Sequence, residues 1–148
     1  MKINKLLSKN NLLILTPVIL VMILDLVFTI VGQSAFYWQN YGFFNEGSPL
    51  GQILMLNPAY LILFFIFYIL FVIFLVEFLP KPFNIIVAVS FFLGHAWGSS
   101  TWVPAIFRKL TGVYTIDDWW LIIGYFVIIA IISSFCINKW LGIKNLSL

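Results

Sequence analysis

Charged side chains are scarce in this sequence: Asp, Glu, Lys and Arg make up 9% of its 148 residues. A soluble domain carries about 25%, and a single aqueous core cannot hide this much apolar surface. That excludes an ordinary soluble enzyme. The net charge of +3 is spread over helix ends and forms no basic stripe of the kind that grips nucleic acid, so no nucleic-acid partner is expected. Cysteine is limited to Cys136, inside an apolar run, which excludes an intramolecular disulfide and a cysteine-based zinc site. Histidine occurs once, at position 95. No internal repeat, linker or low-complexity stretch divides the chain, so one integral membrane domain over 1–148 is the simplest organisation.

What the sequence does have is long apolar runs, with a mean hydropathy of +1.09. Four of them approach the ~20 residues that cross a hydrocarbon core: 12–32, 59–79, 83–104 and 119–137. Asn57-Pro58 is a helix-start signal ahead of the second, and Pro80-Lys81-Pro82 breaks the chain before the third. The first run is longer than the apolar region of a secretory signal, carries Asp25 and is followed by no small-x-small cleavage site, so it is expected to stay as a helix. The fold class expected is therefore all-α, a polytopic four-transmembrane-helix bundle with the lipid bilayer as its first partner.

Direction follows from the basic residues. With the N-terminus in the cytoplasm, Lys2, Lys5, Lys9, Lys81, Lys139 and Lys144 lie inside, and only Arg108 and Lys109 lie outside. Both termini are thus expected in the cytoplasm, in a cell membrane. Trp38, Trp97, Trp102, Trp119 and Trp120 then map near the outer interface and Trp140 near the inner one, as aromatic belts do. The segment 33–58 lacks Lys and Arg and is rich in aromatic pairs, so it should lie against the membrane on the outer side. Within it Ser48-Pro49 is suited to start a short helix, serine capping and proline in the first helical position.

Two ionisable residues interrupt the apolar runs. Asp25 lies thirteen residues into the first span and His95 twelve into the third, which also starts from inside. At 1.5 Å per residue both sit about 20 Å deep. An aspartate at a helix centre costs ~2.5–3.5 kcal/mol to insert, and such residues usually face a protein interior and work there. Asp25, Thr29 and Gly32 share a face that leads to Gln33, and His95, Ser99 and Trp102 share another. If these faces meet, they line a polar funnel opening outward, with Asn45 and Glu46 at its mouth. The plain alternative is an interhelical hydrogen bond made for packing, worth ~0.6 kcal/mol on average. Ser90, Gly94 and Gly98, four apart, form a small-residue ridge suited to close helix packing, within the chain or between copies. Asp117 and Asp118 are placed to cap the fourth helix, and Glu77 either to pair with Lys81 at the inner interface or to snorkel to it. Ser99, one turn from His95, is a remote candidate for a nucleophile.

The stretches LDLVFTIVGQ around Asp25, YWQNYGFFNEGSPLG and GHAWGSSTW resemble those of small, uncharacterised four-helix membrane proteins of prokaryotes, over roughly residues 20–104. The resemblance implies a fold and a candidate site but no activity. A looser similarity is to proteins with an aspartate in the first helix and a Glu-x-Asn-Pro loop, where this chain reads Glu46-Gly47-Ser48-Pro49. The lipoprotein signal peptidases share the length, the four spans and an aspartate placed like Asp25. Their second aspartate motif near the fourth span has no counterpart here, and that assignment is rejected.

Three classes of function follow. An enzyme acting on a lipid or lipid-linked substrate would use Asp25, His95 and Glu46 as acid–base groups, or as ligands of a single divalent metal ion such as zinc, manganese or iron. A transporter would gate a path by protonation, although the inner halves of the spans are almost wholly apolar. An accessory subunit would bind a membrane protein partner or a second copy through the Gly94/Gly98 ridge.

Overall fold

A computed structural model describes residues 9–140, so Lys2, Lys5 and Lys144 of the topology argument lie outside the described residues, as do the side chains of Lys9 and Trp140. Six helices follow in order: α1 (Lys9–Val31), α2 (Ala35–Gln39), α3 (Pro49–Met55), α4 (Pro58–Phe78), α5 (Phe83–Thr111) and α6 (Asp118–Trp140). Helices α1, α4, α5 and α6 each hold a stretch long and apolar enough to cross a membrane. The protein is an all-α, multi-pass integral membrane protein built as a four-helix bundle.

Local chemistry accounts for most of the boundaries. The Ser48 hydroxyl accepts from the Gly51 amide and Pro49 occupies the first turn of α3, as the sequence predicts. Asn57 caps α4 in the same way through the Ala59 amide, with Pro58 at its first position. Ser34 caps α2, a five-residue turn with no clear signal in the sequence. Asp117 accepts from the Trp119 amide at the start of α6, in the capping role expected of it.

One boundary differs from the sequence reading. α5 does not stop at Pro104 but runs to Thr111, 29 residues in all, or about 44 Å at 1.5 Å per residue. A proline removes one i to i−4 hydrogen bond, and Pro104 is buried within a ladder that continues on both sides. The polar last turns find partners instead of ending the helix. Arg108 pairs with Asp118 of α6, and Lys109 Nζ donates to the carbonyls of Val31 at 3.0 Å and Gln33 at 3.4 Å. This ammonium supplies donors to the open carbonyl end of α1. Gly112 closes α5 at φ +69°, a left-handed conformation that glycine adopts without steric cost.

α1 and α5 form the central pair, with α4 and α6 on opposite flanks and no close contact between those two. Leu15, Val18 and Met22 of α1 pack with Leu61, Phe65 and Val72 of α4. On the other flank Val21, Ala96, Tyr125 and Ile129 join α1, α5 and α6. Lipid tails are as apolar as these side chains, so close packing and interhelical hydrogen bonds hold the bundle together, not expulsion from water. Accordingly the outward side chains of α4, among them Leu63, Phe67, Phe71, Phe74 and Phe78, are large, apolar and exposed.

The small residues that α5 buries are Ala88, Ala96, Ser99 and Ser100. Of the anticipated ridge, Ser90 and Gly94 are exposed, and a Cβ at Gly94 would meet nothing within 4 Å. Only Gly98 faces a neighbouring helix, through Asp25. Glu77 also departs from expectation: its carboxylate accepts from Asn11 Nδ2 of α1 at 3.0 Å, and no Lys81 pair forms among the described residues. The carboxylate thus takes its donor from the facing helix, while Lys81 lies in the Pro80-Lys81-Pro82 break after α4.

The 33–58 segment folds over one end of the bundle, hereafter the loop end. Gln33 is buried and holds both backbone groups of Asn45, accepting from its amide at 2.8 Å and donating to its carbonyl at 3.2 Å. The Tyr37 hydroxyl donates to the Met55 carbonyl at 3.0 Å, with both residues fully buried. Burial pushes the Tyr37 phenol above its ordinary range, with a smaller contribution from Tyr41. These two clamps tie the two halves of the segment together as a lid over the bundle.

Candidate functional site

Asp25 and His95 meet. His95 Nδ1 lies 2.7 Å from Asp25 Oδ2, joining α1 to α5. The side chains are 14% and 17% exposed, for His95 and Asp25 respectively. A carboxylate accepts, so the proton of this hydrogen bond sits on Nδ1 and the ring presents Nε2 as its second functional atom. Nε2 makes no hydrogen bond among the described residues, and His95 borders a cavity. An aspartate that fixes the tautomer and angle of an imidazole is the arrangement by which histidine becomes an oriented general base or acid.

Backbone design makes room for the pair. A Cβ added at Gly98 would stand 2.9 Å from Asp25 Oδ1 and 3.1 Å from Oδ2. The first is closer than Cβ atoms come to their neighbours and the second is tight, so any larger residue at 98 would make the carboxylate shift from where it lies. Three rings hold the imidazole from its other sides. Phe65 and Tyr68 of α4 meet it edge-on at 5.9 Å and 5.6 Å, and Phe91, one turn back on α5, stacks at 6.4 Å. An aromatic wall on that side limits hydration and strengthens the Asp25–His95 interaction.

The cavity holds about 770 Å³ between α1, α4, α5 and the 46–54 stretch. One wall is polar, with Asp25, Thr29, His95 and Thr101 on the central helices. The opposite wall is apolar, with Leu54, Leu61, Phe64 and Phe65. Asn45 and Glu46 stand on its loop side, and Trp97 and Trp102 join His95 in the lining contributed by α5. Such a division suits an amphiphile, whose head and chain need different solvation.

The anticipated residues have separate fates. Asp25, Thr29, His95, Trp102, Asn45 and Glu46 line one cavity. Gly32 instead lies beneath Trp102, whose ring leaves no space for a side chain there. Gln33 clamps the lid. Ser99 turns away from the cavity: it is fully buried, its hydroxyl 2.6 Å from Tyr125 on α6 and within bonding distance of the His95 carbonyl. It is a strut between helices, and a nucleophilic role is discarded.

The three-ligand metal site also fails its geometric test. Among the described residues no three His, Cys, Asp or Glu side chains come close enough to hold an ion. Glu46 is in the cavity but its Oε1 accepts from the Ser48 amide at 2.8 Å, at the start of α3 and away from the pair. Asp25, His95 and Glu46 thus share a cavity without sharing a coordination sphere.

Sequence reasoning missed the aromatic wall. Phe65, Tyr68 and Phe91 lie in runs rich in such residues, and only the hydroxyl of Tyr68, a polar atom well inside an apolar span, marks one of them. Gly98 was visible as a small residue, but its purpose depends on where α1 crosses. Comparison of the chain with family models, with curated proteins and with solved structures finds no match in any of the three.

Proposed function

We propose that the protein is a membrane-embedded enzyme in which His95, oriented by Asp25, transfers a proton to or from a lipid or lipid-linked substrate. The observation that carries this reading is the 2.7 Å Asp25–His95 bond beside an amphipathic cavity, with Nε2 left without a partner among the described residues. A bond made for packing alone needs no adjoining cavity, and interhelical hydrogen bonds contribute only ~0.6 kcal/mol on average. In its role as base, Nε2 takes a proton from a substrate hydroxyl or bound water and later returns it to the leaving atom. Asp25 does not itself exchange the proton; it stabilises the imidazolium that forms. Tyr68 and Phe65 keep water from that step.

The cavity is read as opening to the outer side of a cell membrane, with both termini cytoplasmic and the whole chain one domain. The excess of lysine at the opposite ends of the spans supports this orientation. Cysteine accessibility at position 47 against 139 in sealed cells tests it.

The test of the activity is lipid mass spectrometry of membranes from cells expressing the wild type, His95→Gln or Asp25→Asn. A lipid or lipid-linked class should shift with the wild type, and the shift should fall by about 10²–10⁴-fold in both variants. Identical profiles for wild type and His95→Gln would overturn the reading.

A second reading is favoured by one observation: Ser90 and Gly94 are exposed, and nothing approaches Gly94. That strip accommodates a helix of another membrane protein or of a second copy, as an accessory subunit requires. Gly94→Leu should then abolish co-purification of the partner while the Asp25–His95 pair stays intact.

A further inference from the structure

The charge balance of the cavity bears on what it takes. Among the described residues its lining contains two carboxylates, Asp25 and Glu46, one imidazole, and no Lys or Arg. The two basic residues of the loop end are both committed elsewhere, Arg108 to Asp118 and Lys109 to the carbonyls at the end of α1. Asp25 has His95 as its partner. Glu46 has only a backbone amide and a backbone turn: Oε1 accepts from Ser48, and no cationic side chain pairs with it among the described residues. An anionic head would therefore meet the Glu46 carboxylate with no cationic side chain beside it among the described residues, a repulsive arrangement.

The aromatic residues add to this. Trp97 and Trp102 lie in the lining together with Tyr68 and Phe65, and Trp97 is largely exposed. Indole faces attract ammonium groups through the ring quadrupole, tryptophan most strongly. Carboxylate and indole in one amphipathic cavity make a receptor for positive charge next to an apolar chain.

The geometry points to an amphiphile with a cationic, ammonium-type head as the occupant of this cavity, the head held by Glu46 and the indoles and the chain lying along Leu54, Leu61 and Phe64. This rests on the acid–base reading only in using the same cavity, and names its substrate class. The same charge balance disfavours a head of net negative charge. Glu46, Thr29 and His95 line the same cavity, so an amphiphile whose head lies at Glu46 shares it with the imidazole.

The experiment is a thermal-shift titration of the purified full-length protein in maltoside micelles with dodecylamine, dodecyl phosphate and 1-dodecanol. Dodecylamine should stabilise the wild type in a saturable manner, and dodecyl phosphate should not. Glu46→Gln, which keeps an oxygen for the Ser48 amide, should raise the dodecylamine midpoint about fivefold and leave that for 1-dodecanol unchanged. Trp97→Leu provides a second variant that leaves the lid untouched; it too should weaken the amine selectively. Equal or stronger stabilisation by dodecyl phosphate overturns the inference, as does an amine response indifferent to both substitutions. The two readings fail separately. Selective amine binding with lipid profiles independent of His95 keeps the head-group assignment and sinks the acid–base role. A His95-dependent lipid change without amine binding does the reverse.

Discussion

Gly98 of α5 lies directly under the Asp25 carboxylate of α1, so close that a single added methyl would stand 2.9 Å from Oδ1. The contact places the absence of a side chain on one helix against the presence of a charge on the other. It holds the carboxylate against α5 at the height of His95, one turn away by sequence, and makes the 2.7 Å bond reachable.

Gly98→Ala should therefore displace the carboxylate. Overpacking of this kind costs about 1–3 kcal/mol, and the activity should fall with it. Asp25→Ala clears the space, so in that background Gly98→Ala should cost almost nothing. Melting temperatures of the four proteins in detergent measure the coupling; additive losses would mean that the methyl meets something other than Asp25.

Replacing the pair by leucines separates a working site from a clasp. A pair kept for chemistry sacrifices stability, so Asp25→Leu together with His95→Leu should melt at or above the wild-type temperature while activity is lost. Each single change should lie below the double, since it leaves one polar partner unpaired. Both singles and the double melting far below the wild type is the signature of a structural clasp.

Gln33→Leu keeps side-chain bulk but removes the acceptor and donor that hold Asn45, with bonds of 2.8 and 3.2 Å. Two backbone groups under the lid lose their partners, at about 1–3 kcal/mol. Hydrogen exchange at the Asn45 amide should accelerate and protease cleavage within 34–48 should increase. Unchanged exchange there means that another contact holds the lid.

Ser99→Ala leaves the Tyr125 hydroxyl without its 2.6 Å partner. The loss should stay near ~0.6–1.7 kcal/mol, the span of interhelical hydrogen bonds in membranes, and Tyr125→Phe should restore part of it. Turnover should persist in Ser99→Ala. Loss of all turnover with an unchanged melting temperature would falsify the strut role and restore serine as a reacting group.

The spans were legible because crossing a hydrocarbon core imposes one requirement on every residue of a helix, so composition alone reveals it. α4 is an instance: Asn57-Pro58 starts it, twenty-one residues follow, and the observed helix is Pro58–Phe78. Ser48-Pro49 marked α3 by the same kind of local capping chemistry. α5 escaped at Pro104, where the end of the apolar pattern looks like the end of a helix. Its last turns persist because Asp118 and the carbonyls of α1 receive Arg108 and Lys109, partners more than nine residues distant along the chain.

For the site, equal depth of Asp25 and His95 was computable from helical rise, and it proved a real contact because depth is a one-dimensional quantity that sequence position encodes. Azimuth is not encoded in that way. Whether His95 faces α1, α4 or α6 depends on how α5 is rotated, and that is set by the packing of Val21 and Ala96 on one flank and Phe65 on the other. Ser99 illustrates the consequence. One turn from His95, it shares a sequence face with it, yet a rotation of some 40° per four residues delivers its hydroxyl to Tyr125.

The sequence by itself determined the solvent of this protein, the number of its spans, and the matching heights of Asp25 and His95 along their helices, because each follows from residue type and rise along a single helix. The tertiary structure alone decided that a carboxylate rests on a glycine, that three aromatic rings from α4 and α5 enclose an imidazole, and that Glu46 enters the cavity without joining a metal triad. Those depend on the rotation of helices about their own axes and on their order around the bundle, which only the mutual fit of side chains fixes.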